Sequence, residues 1–253
     1  MRNVLIASAV LLFAANAADA AQMKLLVAGS MQEPFKEVGA GFGKKNGHTI
    51  EYIADTTGAL QKRMRAGEKA DIILLSSAGM DAMEKEHLVV PGTRVDLAIA
   101  AIGVSVKAGA PSPDLSSADA FKKMLLSARS VAVVDPKAGG TSAIYFEGLF
   151  QRMGIAGEIE KKVVYGQQGS QVASAVADGR AEIGMTFISE MLPNKGVKIA
   201  GPLPPAVQNA TNYTVAIPAN APNPDGSRAF IAAMRTPEAR AAIVHAGLEP
   251  LPK

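Results

Sequence analysis

Asp135-Pro-Lys-Ala-Gly-Gly-Thr-Ser-Ala-Ile-Tyr-Phe-Glu-Gly148 follows the apolar run Val131 to Val134 and leads into apolar positions at Ile144, Phe146, Leu149, Phe150 and Met153. That order predicts a strand, a glycine loop and a helix. Gly140 lets the backbone approach a guest, and Thr141 or Ser142 is placed to cap the helix, whose first N–H groups have no partner within it. An anion is what such a helix start prefers to hold. The layout recurs at Val27-Ala-Gly-Ser-Met31 and at Asp55-Thr-Thr-Gly-Ala59, with a weaker copy at Gly166-Gln-Gln-Gly-Ser170. These loops are expected to converge on one oxyanion in a cleft.

Outward from that stretch the chain keeps the same rhythm. Strands are expected over 23–28, 48–53 and 70–75, each followed by a helix, over 32–45, 57–66 and 79–87. A β-like run over 94–106 outlasts a single sheet, so it is expected to cross between two lobes. Strand and helix then alternate over 130–187, and a strand over 212–217 provides a way back. Residues 193–208, with Pro202, Pro204 and Pro205, read as connection. A final helical region over 225–246 breaks at Thr236-Pro237. Successive βα units imply an open α/β sheet with ligands at the carboxyl ends of its strands. The expected division is residues 1–20 as a leader, 21–100 with 212–253 as one lobe, and 101–211 as the other.

The leader expectation rests on Arg2, the apolar segment Val4 to Ala15 and the small-x-small Ala18-Asp19-Ala20, which together read as an export signal removed before Ala21. The apolar segment is shorter than the roughly 20 residues a membrane span needs, so no membrane insertion is expected after cleavage. A 48% hydrophobic fraction supplies a core without cysteine staples. The net charge of +3 with 5% aromatics offers neither a basic stripe nor a stacking surface, so nucleic acid is not an expected partner. His48, His87 and His245 have no metal-ligand spacing, and neither a metal nor an organic cofactor is implied.

Ala28-Gly-Ser-Met31 with Pro34-Phe-Lys-Glu37, then Thr57-Gly-Ala-Leu60, Gly67 to Asp71 and Val176 to Phe187 resemble the molybdate-binding proteins of bacterial uptake systems, a group of type II periplasmic solute-binding proteins. The resemblance implies two α/β lobes, each built on a mixed sheet flanked by helices, joined by two crossing strands and closing on a small anion in the periplasm. It also implies an inner-membrane ABC transporter as partner. Carried over position by position, Ser30 and Thr57 would donate hydroxyls, and Met31, Gly58, Ser142 and Gly169 backbone N–H groups. Phe187 stands where that family commonly has a ligand-facing tyrosine and cannot donate. An organic carboxylate would draw on Lys137, Thr141 and Ser142, with Ser170 beside Gly169. The chain also resembles proteins that isomerise the tricarboxylate aconitate. A binding role ranks first because it needs no proton-transfer group, and the anion loops offer only Asp55 and Asp135 as carboxylates.

Overall fold

The computed structural model describes residues 21–252, so the leader expectation for residues 1–20 lies outside the described residues. In chain order the strands are β1 (Ala21–Ala28), β2 (His48–Asp55), β3 (Ile72–Ser76), β4 (Val95–Ala100), β5 (Ile102–Lys107), β6 (Val131–Val134), β7 (Val163–Gly166), β8 (Ile183–Phe187), β9 (Val197–Pro202), β10 (Thr211–Ala216) and β11 (Glu249–Pro250). The helices are α1 (Gln32–Asn46), α2 (Thr57–Arg65), α3 (Ser77–Lys85), α4 (Ala118–Ser127), α5 (Thr141–Arg152), α6 (Ala156–Glu160), α7 (Gly169–Ala177), α8 (Ile188–Met191), α9 (Pro224–Ala233) and α10 (Pro237–His245).

The strands form two sheets, in the orders β11-β4-β10-β3-β1-β2 and β7-β6-β8-β5-β9. Both are mixed. In the first, β1 runs parallel to β2 and β3, whereas β10 is antiparallel to β3 and β4. In the second, β6 runs parallel to β7 and β8, whereas β5 is antiparallel to β8 and β9. Every residue of β3, β6 and β8 is buried, as expected of central strands covered by helices on both faces. Helix α1 closes one face of the first sheet by packing Phe35 and Phe42 against Phe230 of α9, with ring centroids 5.6 and 5.1 Å apart.

The 94–106 run divides at Ala101: β4 belongs to the first sheet and β5 to the second. The chain returns through residues 203–210. Gln208 ties the two crossings together, its amide accepting from Ile102 N at 3.1 Å and donating to Ile102 O at 2.9 Å. Two expectations need correction here. Residues 193–208 are not all connection, because β9 lies within them; it is an edge strand, where Pro202 at its end forfeits no ladder hydrogen bond. Ile144 is not on the buried face of α5 but is 58% exposed.

Candidate functional site

The two sheets meet across a cleft held shut by backbone and side-chain contacts. Gly58 N donates to Gly139 O at 3.1 Å, Thr56 Oγ1 donates to Ala138 O, and Gln168 Nε2 donates to Ala54 O at 3.3 Å. Gly58 and Gly139 touch through their main chains. A Cβ on either would stand 2.8 Å from the other's Cα, and Gly139 has φ +72°, so both positions require glycine for this approach. Behind these contacts lies a cavity of about 20 Å³, lined by residues that include Asp55, Thr57, Thr141, Phe187, Glu190 and Tyr213. That is room for about one water. Gly29, Gly169 and Glu190 also border an outer groove of about 560 Å³ that runs between the lobes past Tyr52 and Gln168. Neither the cavity nor the groove is lined by Lys, Arg or His.

The loops singled out from sequence reach this region by routes that differ from the expected ones. Thr57, Gly140, Thr141, Ser142 and Gly169 line the cavity. The cap of α2 is Thr56, not Thr57: Thr56 Oγ1 accepts from Ala59 N at 3.1 Å. Thr57 Oγ1 instead accepts from Ser76 N at 3.3 Å, which pins α2 to the end of β3. The Gly58 N–H is engaged by Gly139 rather than held open for a guest. Neither Thr141 nor Ser142 caps α5, whose N-cap is Gly140 with no side-chain cap. Ser30 is buried, and its Oγ lacks a hydrogen-bond partner of proper geometry. Met31 packs its side chain into the core and precedes α1 as its N-cap residue. Lys137 and Ser170 are exposed and do not line the cavity. The Lys137 N–H is bonded to Asp135 Oδ1 at 2.9 Å in a turn of its own.

Two residues that the sequence did not single out complete the site. Tyr213, on β10, is 3% exposed and meets the Phe187 ring edge to face at 5.8 Å and 82°. A phenol thus reaches the cavity from the opposite sheet. Burial, with the neighbouring Glu190 carboxylate second, pushes the Tyr213 hydroxyl well above the usual phenol range. The Ser30 and Thr141 hydroxyls flank it and act the other way, although at Ser30 the geometry falls short of a hydrogen bond. Tyr213 therefore stays a donor.

Glu190, on the one-turn helix α8, is the second. Part of the residue reaches the surface, but its carboxyl end lies between Gly29 and Gly169, withdrawn from bulk water. A Cβ at Gly29 would stand 2.8 Å from Glu190 Oε1, and one at Gly169 would overlap the carboxyl outright. Thr186 Oγ1 donates to Glu190 Oε2 at 2.6 Å, and Ser142 Oγ lies 3.3 Å from Thr186 Oγ1, which makes a buried chain of three groups. Desolvation raises the Glu190 pKa to about 7, against the opposing pull of the Thr186 hydroxyl and the Phe187 N–H. Among the described residues, no cationic side chain lines the site to oppose that shift.

The chain and its fold match known proteins along almost the whole length of the chain. Residues 23–249 fit the family model described as bacterial extracellular solute-binding protein. The chain belongs to that family. It is 30% identical over 239 residues to the aconitate isomerase of a Pseudomonas species, covering 91% of this chain and 88% of the relative. It is 29% identical over 180 residues to the molybdate-binding protein ModA of Rhodobacter capsulatus, covering 71% of this chain and 69% of the relative. Among solved structures, the periplasmic molybdate-binding protein of Azotobacter vinelandii superposes with a TM-score of 0.75 at 18% identity, covering 91% of this chain and all of that one. At that identity the likeness speaks for the fold alone. Among the described residues of this solute-binding protein, no helix is long and apolar enough to cross a membrane and no cluster of ligating side chains could hold a metal ion.

Proposed function

We propose that this solute-binding protein closes on a small organic acid carrying two or more carboxylates, captured in the periplasm for an ABC-type transporter. The observation that carries this is the Glu190 carboxyl lodged between Gly29 and Gly169, at the point where the anion loops converge. A fully ionised tetrahedral oxyanion such as molybdate would face that carboxylate in a low-dielectric space with no cation to offset the repulsion. An organic acid avoids this by sharing a proton with Glu190 or presenting a hydroxyl or C–H group to it. Its carboxylates would take the donors of the cleft, the Thr141 hydroxyl and the Tyr213 phenol, with the Ser30 hydroxyl beside that phenol. Thermal unfolding with a ligand panel tests the proposal. Di- or tricarboxylates should raise the midpoint, by about 2.7 kcal/mol of added stability at a hundredfold excess over Kd. Stabilisation by molybdate or tungstate with none by carboxylates would overturn it.

A second function has its own support. The same cleft would isomerise an unsaturated tricarboxylate, as an enzyme rather than a carrier. What favours this is a carboxyl group with a pKa of about 7 inside the site, the feature a double-bond shift needs and the sequence did not reveal. The 30% identical relative named for that activity points the same way.

A further inference from the structure

The organic-acid reading above underlies this inference, which gives one residue of the cleft a chemical task. We propose that Glu190 removes a proton from a carbon of an unsaturated tricarboxylate bound between the lobes and returns it two carbons along, with Thr186 and Ser142 as positioning residues. In this step the Glu190 carboxylate takes a methylene proton from the carbon between a carboxylate and the double bond. The electron pair left behind spreads over three carbons and their carboxylates, and the conformation held about the former single bond decides whether the new double bond is cis or trans. The Glu190 carboxyl then delivers the proton to the far carbon, leaving the double bond shifted by one position. Nothing is oxidised or reduced, and no co-reactant is consumed.

The placement of groups around Glu190 fits this task. Its carboxyl is at the boundary between the inner cavity and the outer groove, bordering both, so a molecule too large for the cavity reaches it from the groove. The groups facing it come from several elements. Thr186 is on β8, Gly169 on α7 and Gly29 in the turn before α1, while Tyr213 approaches from β10. Asp55 lines the same cavity, and Glu33 and Tyr52 line the groove. Among the described residues, no Lys, Arg or His lines the cavity or the groove that Glu190 borders. Across the cavity, the protonated phenol of Tyr213, flanked by the Ser30 and Thr141 hydroxyls, is a donor for the negative charge that grows on the substrate carboxylates.

Glu190 also has a purely structural use. It is the third residue of α8 and reaches back to the N–H of Phe187, the residue that caps that helix. Such a cap explains the backbone contact. It does not require the Thr186–Ser142 chain, nor the two glycines that make space for the carboxyl.

The test uses purified protein with cis- and trans-aconitate in D2O, followed by proton NMR, alongside calorimetric binding. The wild-type protein should interconvert the two isomers and place deuterium on the exchanging carbon. Glu190→Gln keeps the shape and an amide oxygen for the Phe187 N–H. It should bind within about threefold of wild type yet lose on the order of a hundredfold or more of the conversion rate. Thr186→Val should shift the rising limb of the pH profile upward, because it removes a hydrogen bond that favours the ionised form. Unchanged conversion by Glu190→Gln overturns the assignment. Aconitate binding by wild type without conversion or deuterium uptake also overturns it, while leaving the organic-acid reading standing. Binding of molybdate and of no carboxylate overturns both.

Discussion

Among the described residues, the Asp71 carboxylate in the first lobe and the Glu190 carboxyl in the cleft are both withdrawn from bulk water, and their surroundings differ. Asp71 is 1% exposed and accepts two backbone hydrogen bonds at 2.8 Å, from Lys24 N and Asn223 N, while the Ser227 hydroxyl binds its carbonyl oxygen at 2.7 Å. It joins β1 to the start of α9. Glu190 has a short hydroxyl contact, the cap N–H of its own helix and two bare glycine faces. A buried carboxylate committed to structure is surrounded by N–H donors that replace the water it has lost. One left with few donors beside a cavity keeps a proton to exchange, and that is the mark of a site.

The largest effect that would break this comparison is on stability. Asp71→Ala leaves two buried N–H groups unpaired and should cost on the order of 3 kcal/mol in urea unfolding, whereas Glu190→Gln should cost under about 1 kcal/mol. Equal losses would make Glu190 one more structural carboxylate.

The pH dependence sharpens the same contrast. The folded pKa of Glu190 is raised to about 7, so its contribution is fully present below the unfolded value near 4.5. It is lost as pH rises through 7. Wild type should lose up to about 3 kcal/mol between pH 5 and 8 from this group, a slope that Glu190→Gln removes and Asp71→Asn leaves in place. Melting midpoints at the two pH values check it. Next in size is Gly169→Ala. Its methyl overlaps the Glu190 carboxyl, so ligand affinity should fall about tenfold or more in calorimetry while the fold is retained. Smallest is Tyr213→Phe, which removes one donor and should weaken binding by about tenfold or less.

Much of the fold was legible because glycine and hydroxyl residues punctuate apolar runs. Val131 to Val134 before Gly139-Gly140 is unambiguous, and Val95 to Lys107 is too long for one strand of this sheet. Residues 197–202 read as connection because Pro202, Pro204 and Pro205 break the pattern, and only the sheet order shows that β9 is an edge strand. The cleft was legible on the side of its loops. Tyr213 was not, because alternation along β10 gives it a face but not the lobe that face meets. Glu190 was hidden in Ile188-Ser189-Glu190-Met191, where the only signal is a Glu three residues after the end of a buried strand. Phe187 in the cap position masks even that, since a capping box begins with Ser or Thr. The Thr56 cap one residue before Thr57 shows the limit of a dipeptide of identical residues: sequence cannot say which hydroxyl faces the helix and which the strand.

The meeting of Gly58 with Gly139 sets a mechanical stop. Because main chain rests on main chain, the smallest width of the cleft does not depend on any side chain, and no substitution among the lining residues can draw the lobes closer. A change of cargo in this scaffold is therefore a change of wall chemistry at constant gap, while a bulkier residue at either glycine would hold the jaws ajar and weaken every ligand alike.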